Sequence, residues 1–235
     1  MDEEIEELGG SVLGTKHYWE KSYELELKNF HDHGDCGDIW FDEDCQLRIA
    51  TWIGNRENNI KLDDSIIDLG CGNGMMLIEL AQNGFENLTG IDYSPKAIEL
   101  AKAICKEHKY PNINYKVVDL MSESEVTALG KFKVVHDKGT YDAISIHPTD
   151  SKTMRKSYIA NVHRLLEDNG LFVLTSCNWT KCELVKSFGG LFELQTVIPS
   201  PKFKFGNKEG SVVTSVVFGK ASSFAIPTDV GPILQ

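Results

Sequence analysis

From Lys61 onward, short apolar runs alternate with segments whose apolar residues recur every third or fourth position. The runs are β-branched and bounded by acids or glycines. They read as buried strands centred on Ile67, Ile91, Val117, Val135 and Phe172. The periodic segments predict helices over residues 75–82, 95–108 and 151–166. In the last of these Met154, Tyr158, Val162 and Leu165 form one apolar stripe. Two more strand-like runs, "GLFELQTVI" and "SVVTSVVFG", are joined by "PSPKFKFGNKEG". Seven strands with a late hairpin predict an α/β fold, a doubly wound sheet with an antiparallel end strand. Before Lys61, Trp19, Tyr23 and Leu27 fall on one helical face, and a second helix is expected from Asp42 to Gly54. The chain thus divides into a disordered acidic tail (1–10), an N-terminal helical cap (11–60), the α/β domain (61–220) and a loose C-terminal tail (221–235).

The stretch "IIDLGCGNGMMLIEL" sets Gly70, Gly72 and Gly74 between the first strand and its helix. Glycine at that density implies positive φ, or a group too close to the main chain for a Cβ. Strand, glycine turn and helix open a ligand-binding α/β sheet. A dinucleotide fingerprint needs a third glycine or alanine where this chain has Met75, which disfavours NAD and FAD. Asp92 ends the second strand in "GIDYS", about 20 residues on, where an acid accepts from ribose hydroxyls. Asp119 ends the third in "VVDLM" and suits the amine of adenine. Singly, each acid has an equally good local reading: Asp92 as an Asx turn or helix cap, Asp119 as a cap or a solvated loop. Three polar strand ends flanking one crevice point instead to a nucleoside.

Composition narrows the classes. The 235 residues carry a net charge of −11, which opposes nonspecific nucleic-acid binding and tolerates a basic protein partner. No apolar run approaches the ~20 residues that span a bilayer, and the acidic start is unlike a targeting signal. The six cysteines form no C-x-x-C framework. A cytoplasmic, also nuclear, monomer is expected. "HDHGDC" offers His31, His33 and Cys36 to a metal, but no complementary pair follows, so no metal is expected. "NWTKCEL" contains a capping box, Thr180 with Glu183, that opens a helix, and Trp179 beside it is a candidate for the acceptor channel.

"DLGCGNG", "GIDYS" and "VVDLM" resemble motifs I, II and III of the class I S-adenosylmethionine-dependent methyltransferases. With "VVHDKGTYDAI", "LTSCNWT", "YWEKSY" and "DIWFDED", the chain resembles the methyltransferase-like protein 10 family over roughly residues 12 to 220. The resemblance implies a Rossmann-like seven-stranded class I methyltransferase sheet with an antiparallel last strand. It also implies S-adenosyl-L-methionine as cofactor and a lysine of translation elongation factor 1-alpha as acceptor. Gly70 and Gly72 would then lie against the methionine part, with Asp68 near its ammonium. Asp92 and Tyr93 would hold ribose and flank adenine, and Asp119 and Leu120 would meet the adenine edge. Trp19, Tyr23 and Trp40 would close over the cofactor, although spacing alone reads Trp19 and Tyr23 as core. Asp137 would face the methionine end, and with Tyr141 would orient the amine; a turn before Gly139 is the alternative for Asp137. A small-molecule methyltransferase and a noncatalytic nucleotide-binding module remain open as other classes. The absence of N/D-P-P-Y after the fourth strand argues against a nucleobase acceptor.

Overall fold

The computed structural model describes residues 7–205 and 208–221. Its strands are β1 (Ile66–Leu69), β2 (Leu88–Asp92), β3 (Asn114–Val117), β4 (Phe132–Lys138), β5 (Leu166–Ser176), β6 (Phe192–Ile198), β7 (Phe203–Phe205), β8 (Lys208–Gly210) and β9 (Thr214–Lys220). Seven of them form one sheet in the order β3-β2-β1-β4-β5-β9-β6. All neighbours from β3 to β5 pair parallel, whereas β9 runs antiparallel to both β5 and β6. The winding reverses between β1 and β4, so a crevice opens beyond their carboxyl ends.

The helices are α1 (Lys16–His33), α2 (Glu43–Ile53), α3 (Met75–Gln82), α4 (Pro95–Glu107), α5 (Glu123–Thr127), α6 (Thr140–Ser145), α7 (Ser151–Leu165) and α8 (Lys181–Phe188). Alternation along each strand sends neighbours to opposite faces. Ile67, Val135, Phe172 and Phe218 pack with Tyr158, Val162, Leu184 and Phe188 of α7 and α8. Ile66, Val134, Val173 and Val217 pack with Ile49, Ile53, Leu77 and Leu80 of α2 and α3. Each such burial contributes about 1.5–3 kcal/mol, which is why these strands read as continuous apolar runs. Outside α3 and α4, helix α1 lays Tyr23, Leu27 and Phe30 on Ile78, Leu100 and Ile104.

Local chemistry sets the ends. Thr15 accepts from Tyr18 N to start α1, and Gly34, at φ +74°, stops it. The Thr180–Glu183 capping box opens α8. Three features depart from expectation. The last strand, β9, is antiparallel as expected, but it lies between β5 and β6 rather than at the sheet edge. The connection "PSPKFKFGNKEG" holds a small ribbon, β7 paired with β8. Residues 7–10 of the acidic tail are docked: Glu7 grips Arg155 with both oxygens (2.7 and 2.8 Å), and Leu8 packs on the core. The rest of that tail, and residues 222–235, lie outside the described residues. Among the described residues no helix is long and apolar enough to cross a membrane.

Candidate active site

A cavity of about 360 Å³ occupies the crevice beyond the strand ends. Its floor is the turn after β1, where Gly70 and Gly72 hold φ of +61° and +53°. A Cβ at Gly70 would stand 2.1 Å from Thr140 Oγ1, and one at Gly72 would stand 2.6 Å from Tyr23 Oη. Glycine is therefore required twice, by conformation and by crowding. Asp92, which closes β2, Tyr93 just after it, and Asp119 and Leu120 after β3 line the same cavity, and Trp19, Tyr23 and Trp40 roof it.

Both acids also do local work, Asp92 in the Asx turn that the sequence allowed it and Asp119 in a turn that it did not foresee. Asp92 Oδ1 accepts from Ser94 N (2.9 Å) and Oδ2 from Gly72 N (3.2 Å). Burial pushes its carboxyl up to about 6, those N–H groups pulling the other way. Asp119 Oδ1 accepts from Met121 N at 2.9 Å. The roof is a chain of rings. Trp19 stacks on Tyr23 at 6.0 Å and meets Trp40 edge-on at 5.0 Å, and its Nε1 donates to Leu13 O at 2.6 Å. Lys138 Nζ donates to Trp40 O at 2.8 Å, and burial lowers the pKa of that amine.

Three expected site residues lie off the cavity. Asp68 is buried, with Oδ1 2.7 Å from His136 Nδ1. Asp137 and Tyr141 are fully buried, and neither lines the cavity. Asp137 Oδ1 accepts from Thr140 N (2.9 Å), while Oδ2 accepts from Tyr141 N (3.0 Å) and from the Tyr158 hydroxyl. It fixes the first turn of α6, which is the turn reading; burial pushes its carboxyl up to about 8. Tyr141 packs among Tyr158 (5.3 Å) and Phe188 (5.1 Å), because its phase on α6 points at the sheet. One residue on, about 100° further round the helix, Asp142 lines the cavity instead. Trp179 is likewise buried off the cavity, with Nε1 donating to Ser145 Oγ at 3.0 Å.

The sequence reading missed Asp142, Cys177 and Asn178, which form the wall beyond β5, and Lys138, Glu26 and Asp38 nearer the roof. "TSCNWT" pointed to this wall, but picked out its tryptophan. Glu26 is pushed up to about 7 by burial, then by Asp38 and Asp35. Among the described residues no three His, Cys, Asp or Glu side chains converge as a metal site requires.

A family model described as a methyltransferase domain matches residues 60–209. The EEF1A lysine methyltransferase 2 of Mus musculus is 47% identical over 210 residues, covering 89% of this chain and 84% of that protein. Its Homo sapiens counterpart is 45% identical, covering 89% and 87%. Among solved structures, a SAM-dependent methyltransferase from Anabaena variabilis superposes with a TM-score of 0.65 over 92% of this chain and 98% of its own. Its identity is 16%, so that likeness is one of fold.

Proposed function

Because this chain belongs to the EEF1A lysine methyltransferase 2 family of methyltransferase-domain proteins, we propose that it methylates a lysine of translation elongation factor 1-alpha from S-adenosyl-L-methionine. One observation carries the reading: a single cavity joins the positive-φ glycine turn, Asp92 and Asp119 to a roof of aromatic rings. The residues fit the cofactor. The glycine cradle bares main chain that a Cβ would cover, and Asp92, closing β2, is the acid that would accept from ribose hydroxyls. Gly70 and Gly72 would take the methionine part, Asp92 and Tyr93 the ribose and one adenine face, and Asp119 with Leu120 the adenine edge. Trp19, Tyr23 and Trp40 would close above and exclude water. When bound, the sulfonium supplies a methyl group that needs only a correctly aligned nucleophile.

The protein's own task is the acceptor. A free lysine has a pKa near 10.4, so deprotonation at pH 7 costs roughly 4–5 kcal/mol. Apolar ring walls disfavour the ammonium by desolvation, and alignment inside the cavity lowers the barrier by several kcal/mol more. With a net charge of −11, we read the chain as acting on protein rather than nucleic acid, and as a monomer. Incubating the purified chain with elongation factor 1-alpha and methyl-labelled S-adenosylmethionine tests the function by mass spectrometry of the modified peptide. Label on a lysine of that protein is expected. Label in small molecules alone, or no label, overturns the reading in favour of a small-molecule enzyme or a nucleotide-binding module.

A further inference from the structure

The strand ends act as a ruler across the crevice. In the order β3-β2-β1-β4-β5, neighbours stand about 4.8 Å apart. The two nucleoside acids and the glycine turn belong to β3, β2 and β1, which leaves the ends of β4 and β5 for the acceptor. The β4 end has little to offer an amine. Asp137 is sealed beneath α6, Lys138 gives Nζ to Trp40 O, and Thr140 Oγ1 donates to Leu69 O at 2.8 Å.

The β5 end is built differently. Asn178 lies on the cavity wall, and the contact to its amide oxygen is a long S–H from Cys177 at 3.6 Å. The turn carrying it is tied at every step. Ser176 Oγ accepts from Asn178 N (3.1 Å) and Trp179 N (3.0 Å), and gives its own proton to Asp142 Oδ1. Asp142 Oδ2 accepts from Cys177 N at 2.7 Å. Trp179 Nε1 reaches Ser145 Oγ, whose hydroxyl donates to Tyr141 O at 2.7 Å. Ser176 and Ser145 are fully buried and Asp142 nearly so. Three successive N–H groups held by buried oxygens leave the Asn178 backbone one position to occupy.

We propose that Asn178 presents its amide oxygen to the lysine amine as a catalytic residue, and that Asp142, acting through Ser176, is its positioning residue. The proposal rests on the lysine-methylation reading. A neutral oxygen accepts one N–H and steers the lone pair without favouring the ammonium. A carboxylate there would hold the proton on. Asp142 must be an acid for a related reason: Ser176 Oγ already accepts two N–H groups, so its partner has to accept. An asparagine at 142 offers Cys177 N its oxygen, then turns an N–H toward an oxygen already occupied.

The test compares Asn178→Ala, Asn178→Asp, Asp142→Asn, Ser176→Ala and the double variant D142N/N178A with wild type on elongation factor 1-alpha. Affinity for S-adenosylhomocysteine is measured by calorimetry and folding by circular dichroism. Expected are a kcat at least thirtyfold lower for Asn178→Ala with cofactor-product affinity within twofold of wild type, and an acidic limb of the kcat–pH profile at least one unit higher for Asn178→Asp. Asp142→Asn should cost at least tenfold in wild type but less than threefold on the Asn178→Ala background, since coupled positions are not additive. If Asp142→Asn fails to fold, Ser176→Ala and its double with Asn178→Ala carry the same comparison. Near-normal kcat in Asn178→Ala, or fully additive losses, overturns the proposal and leaves a structural turn. A wild type inactive on elongation factor 1-alpha overturns the function and this proposal together.

Discussion

Asp137 and Asp142 flank Gly139, whose φ of +92° sets where α6 begins and so which carboxylate reaches the crevice. Asp137 is buried with its oxygens occupied, and its carboxyl rises to about 8. A carboxyl raised on folding contributes stability that is present below its unfolded value near 4 and is lost as pH rises through about 8. Asp137→Asn removes that titration, at the cost of setting an NH2 against a backbone N–H that an oxygen now accepts. It should therefore gain on wild type as pH rises through that window, by at most about 1.4 kcal/mol per pH unit. Urea denaturation from pH 5 to 8 measures the slope, and equal slopes would show that Asp137 is ionised throughout. Methylation by this variant should stay within tenfold of wild type, because the side chain never meets the cavity. Asp92 carries the opposite expectation. In the proposed role it would accept from the ribose as a carboxylate, so cofactor affinity should weaken as pH falls through about 6. Calorimetry between pH 5 and 7 detects this, and a flat profile would reduce Asp92 to a turn residue. "HDKGTYDA" displays both acids of the β4 end, yet no residue type in it reveals which one faces the cavity. Helix phase decides, and a six-residue helix is too short to show a period.

At the scale of elements, the β1–turn–α3 unit was legible because each part has its own signature: a β-branched run, three glycines, then apolar residues at helical spacing. The roof was not legible from spacing, since Trp19 and Tyr23 at i, i+4 look alike whether they meet a core or a ligand. Gly72 joins the two. Replacing it with alanine forces φ near +53° on a residue with a Cβ, costing roughly 1–2 kcal/mol, and drives that Cβ to 2.6 Å from Tyr23 Oη. Gly72→Ala should lose at least tenfold in cofactor affinity. Adding Tyr23→Phe removes the clashing oxygen and leaves ring carbon Cζ at 3.4 Å, an ordinary contact. The double variant should recover part of the loss, never all, since the φ strain persists. Titration calorimetry of the pair checks it: full recovery would mean the strain is negligible, and none would mean that the roof yields freely. The β7–β8 ribbon escaped the sequence reading for a plainer reason. Strands of three residues leave no alternation to count.

For the whole molecule, ligand binding and folding are one equilibrium. S-adenosylhomocysteine at 100 times its dissociation constant should stabilise the chain by about 2.7 kcal/mol, a rise of roughly 5–10 °C in Tm at this size. NAD at the same concentration should leave Tm unchanged, because Met75 stands where a dinucleotide fold needs glycine or alanine. Equal shifts from both would remove the cofactor assignment. The alternation of strands and helices foretold the doubly wound sheet, but not the order in which its last strands pair, since a strand's composition does not name its neighbour. That order has a consequence for biosynthesis. Phe172, Val173 and Leu174 of β5 find their partners in Phe218, Val217 and Val216, and β6 also pairs with β9. A nascent chain on the ribosome that has not yet reached Thr214 therefore holds two apolar strands with bare edges, the state most prone to pair with another chain. Translation stalled or terminated within the β7–β8 ribbon would release a product whose crevice residues have all been made while its sheet stays open, a substrate for chaperones and proteases rather than a shorter enzyme.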